Sequence, residues 1–147
     1  MKKFMFSLEK VLSFKEQTLN VKMNELGLFQ MKLLEIEKEV NDLNEKFADT
    51  NKIMVEALQT GLNSNDIAVY KLYFNTLNQK IQKLIEDKNR LAEVIAQKKA
   101  DIIAINSEIS GLEKLREKQL AEYLKVVQKA NELAMDEYVN QVRSSVS

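Results

Sequence analysis

Between Ile67 and Leu112, fourteen positions follow one another in alternating steps of three and four, and twelve of them are apolar: Ile67, Tyr70, Phe74, Leu77, Ile81, Leu84, Leu91, Ile95, Ile102, Ile105, Ile109 and Leu112, with Lys88 and Lys98 as the exceptions. An α-helix turns once in about 3.6 residues, so this spacing lays a single narrow apolar seam along one face. No strand of ordinary length can use such a pattern. A helix this long with one apolar seam needs a second helix to cover it, and the first half of the chain supplies it.

From Leu8 the same steps run through Leu12, Lys15, Leu19, Lys22, Leu26, Phe29, Leu33, Ile36, Val40, Leu43, Phe47, Thr50, Met54 and Ala57. Lysine can lay its methylene stem on such a seam and keep its charge in water, so Lys15 and Lys22 read as register control or as simple tolerance of a polar residue. Ser7 reads as the N-cap, with Lys10 where a capping box would carry Glu. Gly61 ends the helix, and Asn63-Ser64-Asn65-Asp66 is a run of turn formers and caps, with Asn63 or Ser64 expected to cap the next helix. Asp66 in the first turn suits the helix dipole. Short connections join antiparallel helices. The expectation is an all-α, two-helix antiparallel coiled-coil hairpin whose second helix extends beyond the first. Its parts are helix one over about 7–60, a turn over about 61–65, helix two over about 66–141 and a disordered tail over 142–147. A turn centred near residue 62 sets residue i against roughly 124 − i. Thr50 then opposes Phe74, and Leu8 faces the neighbourhood of Arg116, where the clean seam of the second helix also stops.

Composition narrows the function. Proline, cysteine and histidine are absent and glycine occurs three times. Without proline nothing forces a break inside either helix. Without histidine or cysteine, the common general bases, nucleophile pairs and transition-metal ligands are missing. Three scattered glycines make no phosphate-cradling loop. Glu37 with Glu39, and Asp136 with Glu137, read as solvent-facing carboxylates of a charged helix surface. The chain is therefore expected not to be an enzyme and to use no cofactor, metal or small-molecule substrate. Net charge is zero, which argues against nucleic acid as a partner. Residues 1–32 carry six lysines against three glutamates, a mild basic bias. The opening run through Phe6 is interrupted by Glu9 and Lys10 before a signal-peptide core can form. No stretch approaches the roughly 20 apolar residues of a membrane span, and the absence of cysteine fits a reducing cytosol.

Two surfaces invite partners. Beyond residue 116 the second helix is expected to run on alone. Leu120, Tyr123, Leu124, Val126, Val127, Ala130, Leu133, Ala134 and Tyr138 then form a broad apolar face that calls for a groove or another helix. The alternatives are that Phe4, Met5 and Phe6 fold back over its start, or that the helix end frays. Gly111 beside Ser110 is a candidate bend. One turn into the second helix, Tyr70 and Phe74 stand on the seam while Tyr73 stands beside it, part exposed, either as an aromatic anchor or as a shield for the seam edge.

The opening Phe4-Met5-Phe6-Ser7-Leu8-Glu9-Lys10-Val11-Leu12, the hairpin of long helices, Gly61-x-x-Ser64, Tyr70-x-x-Tyr73-x-x-x-Leu77, and Leu112-Glu113-Lys114-Leu115-Arg116-Glu117-Lys118-Gln119 with Tyr123 resemble the flagellar export protein FliJ family. The resemblance implies a soluble component of the flagellar type III export machine, needed for motility and chemotaxis. In that family the protein resembles the stalk of rotary ATPases, sits in the ring of the export ATPase hexamer, contacts the membrane-embedded export gate and recycles export chaperones. It implies a cytoplasmic protein, peripheral to the inner face of the cell membrane at the flagellar base. Carried onto this chain, the gate contact falls at Tyr70, Tyr73, Leu77 and Leu84. The paired helix ends, Leu8, Leu12, Lys15, Leu19 and Lys22 with Arg116, Leu120, Tyr123, Leu124 and Val127, would face the ATPase ring. Lys80 stands where the family pattern can be small, and Lys46 and Thr50 stand where the first helix can carry tyrosines, so the gate patch matches only in part. A generic coiled-coil scaffold or a homodimerising structural protein shares most of these features. Hydrodynamics separates them, since a stalk hairpin is expected to be an elongated monomer.

Overall fold

The structure, a computed structural model, describes residues 2–146. It contains two helices, α1 over Glu9–Thr60 (52 residues) and α2 over Ser64–Val146 (83 residues), and no strand among the described residues. The two-helix hairpin with a longer second helix is thus the fold of the chain, as the seams require. Helix one begins two residues later than expected. Ser7 is not its cap: the Glu9 amide donates to the Phe6 carbonyl, and the first helical bond runs from the Leu12 amide to the carbonyl of Leu8 (2.9 Å), which places the cap at Leu8. The turn is also tighter than 61–65. Gly61 has φ 96°, a left-handed backbone that a side chain would disfavour, and its amide donates to the Leu58 carbonyl. Asn63, rather than Ser64, caps α2, its Oδ1 accepting from the Asp66 amide at 2.8 Å. At the far end α2 continues through 142–146, where a disordered tail was expected; Ser147 lies outside the described residues. No proline or glycine follows Gly111, so no residue in that stretch carries a large intrinsic helix penalty. Gly111 itself lies within unbroken helix.

The contacts divide into two compact units, one of residues 22–101 and the other of residues up to Val21 together with those from Ile102. In the 22–101 unit the core is Ile36, Leu91 and Ile95, flanked by Leu26, Phe29, Leu33, Val40 and Leu84. All are seam residues. The rings of Phe47 and Phe74 meet at 4.7 Å between centroids. The expected pairing of Thr50 with Phe74 is therefore off by about one turn near the tip, because two aromatic rings fill more of the seam together than a ring beside a threonine.

In the other unit the core is Phe6, Leu12 and Ile109, with Phe4, Leu8, Leu19, Ile105 and Leu112 packed around it. Leu12 is 2% exposed, the lowest value among the core residues. The leader ahead of α1 is part of this core. Phe6 is buried, Phe4 sets its ring 5.6 Å from that of Tyr123, and the Tyr123 hydroxyl donates to the Lys2 carbonyl. Of the leader residues expected to fold back over α2 in the alternative stated above, Phe4 and Phe6 do so and Met5 does not, and most of the apolar face of α2 stays open.

The four seam lysines show how the register is held. Each reaches a carboxylate on the opposite helix: Lys15 to Glu108 at 2.6 Å, Lys22 to Asp101 at 3.5 Å, Lys98 to Glu25 at 2.7 Å and Lys88 to Glu37 at 3.6 Å. Residues 15 with 108, 22 with 101 and 25 with 98 each add to 123, one less than the expected 124. All are part exposed, so water and salt screen each pair and none contributes much by itself. Slipping the helices by one heptad would break these four pairs and bring back only one in their place, Lys15 with Asp101 or Lys22 with Glu108, which disfavours the slipped registers.

Candidate docking surfaces

The residues assigned to the gate lie in the 22–101 unit and do not share one environment. Tyr73 is 39% exposed; its ring leans on Phe74 at 6.2 Å between centroids, and Phe74 in turn rests on Phe47. Tyr70 and Leu84 are half-buried. Leu77 is 4% exposed, because it is a seam residue facing α1, and it cannot touch a partner while the hairpin is closed. Two residues not singled out from the sequence join Tyr73 at the surface: Val69 and Leu72, both about two-thirds exposed. Val69 and Tyr73 are four residues apart and share a face. The signal that could have found them is large apolar residues standing off the seam register.

A groove of about 490 Å³ opens further along the same unit, lined by Glu39, Asp42, Leu43 and Lys46 of α1 and by Lys80, Lys83, Leu84 and Asp87 of α2. Because the helices are antiparallel, Lys46 and Lys80 mark its turn-side end and Glu39 and Asp87 the other. Asp87 also holds Arg90 at 2.6 Å. Nearer the base of the unit, Glu25 accepts the Lys98 Nζ hydrogen bond. That bond, then the Lys98 charge, holds its carboxyl below the ordinary range; partial desolvation opposes this, and Lys22 adds a smaller lowering.

The residues assigned to the ATPase ring divide in the same way. Leu12 is buried, and Leu8 and Leu19 pack against the core around it. Lys15 is bound to Glu108, and Arg116 lies 3.6 Å from Glu9. Lys22 belongs to the 22–101 unit, paired with Asp101. Tyr123 is half-covered by the leader, and Val127 is half-buried. Among the apolar residues that α2 leaves open are Leu120 (38% exposed), Leu124 (55%) and, beyond them, Val126, Leu133, Met135 and Tyr138. Met5 stands out into solvent between the anchored Phe4 and Phe6. Neither surface carries a group of three or more acidic residues placed to hold a metal among the described residues. No helix is long and apolar enough to cross a membrane, again among the described residues.

No curated protein and no solved structure matches the chain. The family model described as "Flagellar FliJ protein" matches residues 4–144, which takes in the leader, both helices and the turn. The order of features along the chain, from the aromatic leader to the late Leu112–Gln119 run, is covered by one match. The chain belongs to the flagellar FliJ family and is a component of the flagellar export apparatus.

Proposed function

We propose that the protein is the central stalk of the export ATPase ring, that it couples the ring to the membrane export gate, and that it takes part in handling export chaperones. The observation that supports this most is the family match over residues 4–144, and two of the chain's several groups of exposed apolar residues, both on α2, suit the partners this reading names. One is the open face of α2 at Leu120, Leu124, Val126, Leu133 and Tyr138. The other is Tyr73 with Val69 and Leu72. A helix face this apolar and unpartnered is suited to a protein groove. On this reading Leu120 and Leu124 contact the ring directly. Leu8, Leu12 and Leu19 act indirectly by holding α2 in place, with Lys15 and Arg116 tied to α1–α2 ion pairs. The gate contact falls on Tyr73, with Tyr70 and Leu84 at its edge and Leu77 supporting from below. The protein works without catalysis of its own, in the cytoplasm and peripherally at the inner face of the membrane.

Adding the purified protein to the export ATPase should raise ATP hydrolysis. A chain truncated after Leu115 should lose both that effect and binding to the ring, while keeping most of its helical circular dichroism. Unchanged binding by the truncated chain would remove the ring assignment. The competing reading, a homodimerising scaffold, predicts a dimer in analytical ultracentrifugation and no effect on the ATPase.

A further inference from the structure

We infer that the leader is a displaceable strap: Phe4 and the Lys2 carbonyl occupy the place on Tyr123 that the export ATPase takes, and the ATPase binds by lifting residues 2–5 off α2. The inference rests on the ATPase reading above and adds how that contact is regulated.

The leader is held unequally along its length. Phe6 is buried with Leu12 and Ile109, and its carbonyl accepts from the Glu9 amide, so it is fixed where α1 begins. Residues 2–5 have no regular structure and make no backbone–backbone hydrogen bond among the described residues. Lys2, Lys3 and Met5 are exposed. What holds this part to α2 is the Tyr123 hydroxyl, which donates to the Lys2 carbonyl, and the Phe4 ring, which lies 5.6 Å from that of Tyr123 and touches the edge of the core. Open grooves lie on both sides of Phe4. One, of about 340 Å³, is lined by Glu113, Arg116, Glu117 and Leu120; the other, of about 270 Å³, by Met5, Phe6, Glu9 and Arg116. A side chain with open space on either side lacks part of the contacts that a buried ring makes, so it leaves its place at small cost. Met5 is then the joint between the fixed Phe6 and the loosely held Phe4.

The strap covers the middle of a docking face. Leu120, Tyr123, Leu124 and Val127 fall at i, i+3, i+4 and i+7, the spacing by which a helix presents its anchors to a groove. Leu120 and Leu124 are open, while Tyr123 between them lies under the leader. A partner closing on both leucines must move Phe4. The strap also displays what the site accepts: an apolar side chain on the face of Tyr123, beside an oxygen that accepts from its hydroxyl. The displacing surface of the ATPase therefore presents the same pair, an apolar side chain next to a carbonyl or carboxylate oxygen. Exchange of like for like lets the strap weaken binding without preventing it, and part of the apolar face stays covered when the ATPase is absent.

The test uses the full-length protein and the export ATPase hexamer. The chain has no cysteine, so Lys3→Cys carries a single nitroxide label on the strap. Its mobility is read by electron paramagnetic resonance, with and without Phe4→Ala and with and without the hexamer. Titration gives the hexamer affinity of wild type, Phe4→Ala and the control Met5→Ala, and circular dichroism verifies the fold. The label should be restrained in the free protein, and equally mobile in free Phe4→Ala and in the wild-type complex. Phe4→Ala should bind about tenfold more tightly, the gain when a site covered in about nine molecules of ten by one aromatic pair is open in all. Met5→Ala should bind like wild type. If Phe4→Ala binds no more tightly than wild type, if Met5→Ala gains equally, or if the label stays restrained in the complex, the inference is overturned and the ATPase reading stands. A hexamer that binds neither wild type nor Phe4→Ala overturns both.

Discussion

Leu12→Ala should cost the protein about 2–3 kcal/mol of stability. Leu12 is 2% exposed and sits between Phe6 of the leader and Ile109 of α2. Truncating a buried leucine to alanine removes its transfer free energy and leaves a void, for a total of about 2–5 kcal/mol. The upper part of that range requires a site that cannot collapse. Here the surroundings are thin: two helices and one short extended segment, with Leu8, Leu19, Ile105 and Leu112 only partly buried around the gap. The leader can settle inward through Phe6, so the cost falls toward the lower end. The matched control is Leu124→Ala. That side chain is 55% exposed on the same unit, and its loss should stay within about 0.5 kcal/mol. Urea unfolding followed by circular dichroism, with midpoint and slope both fitted, gives the two values. If Leu12→Ala costs no more than Leu124→Ala, the leader and the helix ends are not packed as described. The same result would remove the reason for giving Leu12 a supporting rather than a contacting role at the ring.

Tyr73→Ala should lower affinity for the gate's cytoplasmic part by about 2 kcal/mol, as truncation of an aromatic hot spot does, while costing the hairpin about 1 kcal/mol or less. Isothermal titration beside thermal melting separates the two effects, and equal affinities would leave Tyr73 as a cover for Phe74. The Glu25 carboxyl is held below its ordinary pKa chiefly by the Lys98 hydrogen bond, so its contribution to stability is present above the unfolded-state value and disappears as pH falls through the depressed folded-state value. In Glu25→Gln that part of the acid dependence should be missing from melting temperatures measured between neutral and acidic pH. Gly27→Ala should stabilise by about 1 kcal/mol, since nothing lies within 4 Å of the added methyl in mid-helix, whereas Gly61→Ala, at φ +96°, should destabilise by a similar amount. Denaturant midpoints of opposite sign for the two are the check.

The hairpin is legible in the sequence because each helix writes the same message many times. Over forty residues of alternating steps, no single substitution can hide a seam, and even Lys88 and Lys98 fit it once their stems are counted as apolar. The register was nearly legible too: the ion pairs of Lys15, Lys22 and Lys98 sit one residue from the expected sum. It failed locally at Phe74, because register drawn from a turn centre treats every layer alike, while the tip is set by how two large rings share space. Features without repetition were harder to read. Ser7 reads as the cap because its hydroxyl is a good acceptor, yet with Phe6 buried in the leader the first helical carbonyl is that of Leu8. Nothing periodic marks the contact of Tyr123 with Phe4 and the Lys2 carbonyl, more than a hundred residues away in sequence.

The same distinction explains why the candidate sites sorted as they did. A seam position and a docking position ask for the same residue types, so a leucine at helical spacing is ambiguous until its partner helix is in place. Leu12 and Leu77 fell to the seam, and Leu120, Leu124 and Tyr73 to the surface. What separates them in the sequence is register rather than chemistry: Tyr73, Val69 and Leu72 all stand off the run of threes and fours that Leu77 obeys. An apolar residue out of register on a coiled coil has no helix of its own chain to cover it. At Tyr73 and at Leu124 it is left exposed. At Phe4 and Phe6 the chain covers itself, with the leader closing over the start of the exposed stretch of α2 and leaving Met5 outward beside it. The apolar surface that α2 leaves open for the proposed ring contact is therefore narrower than the apolar face written in the sequence.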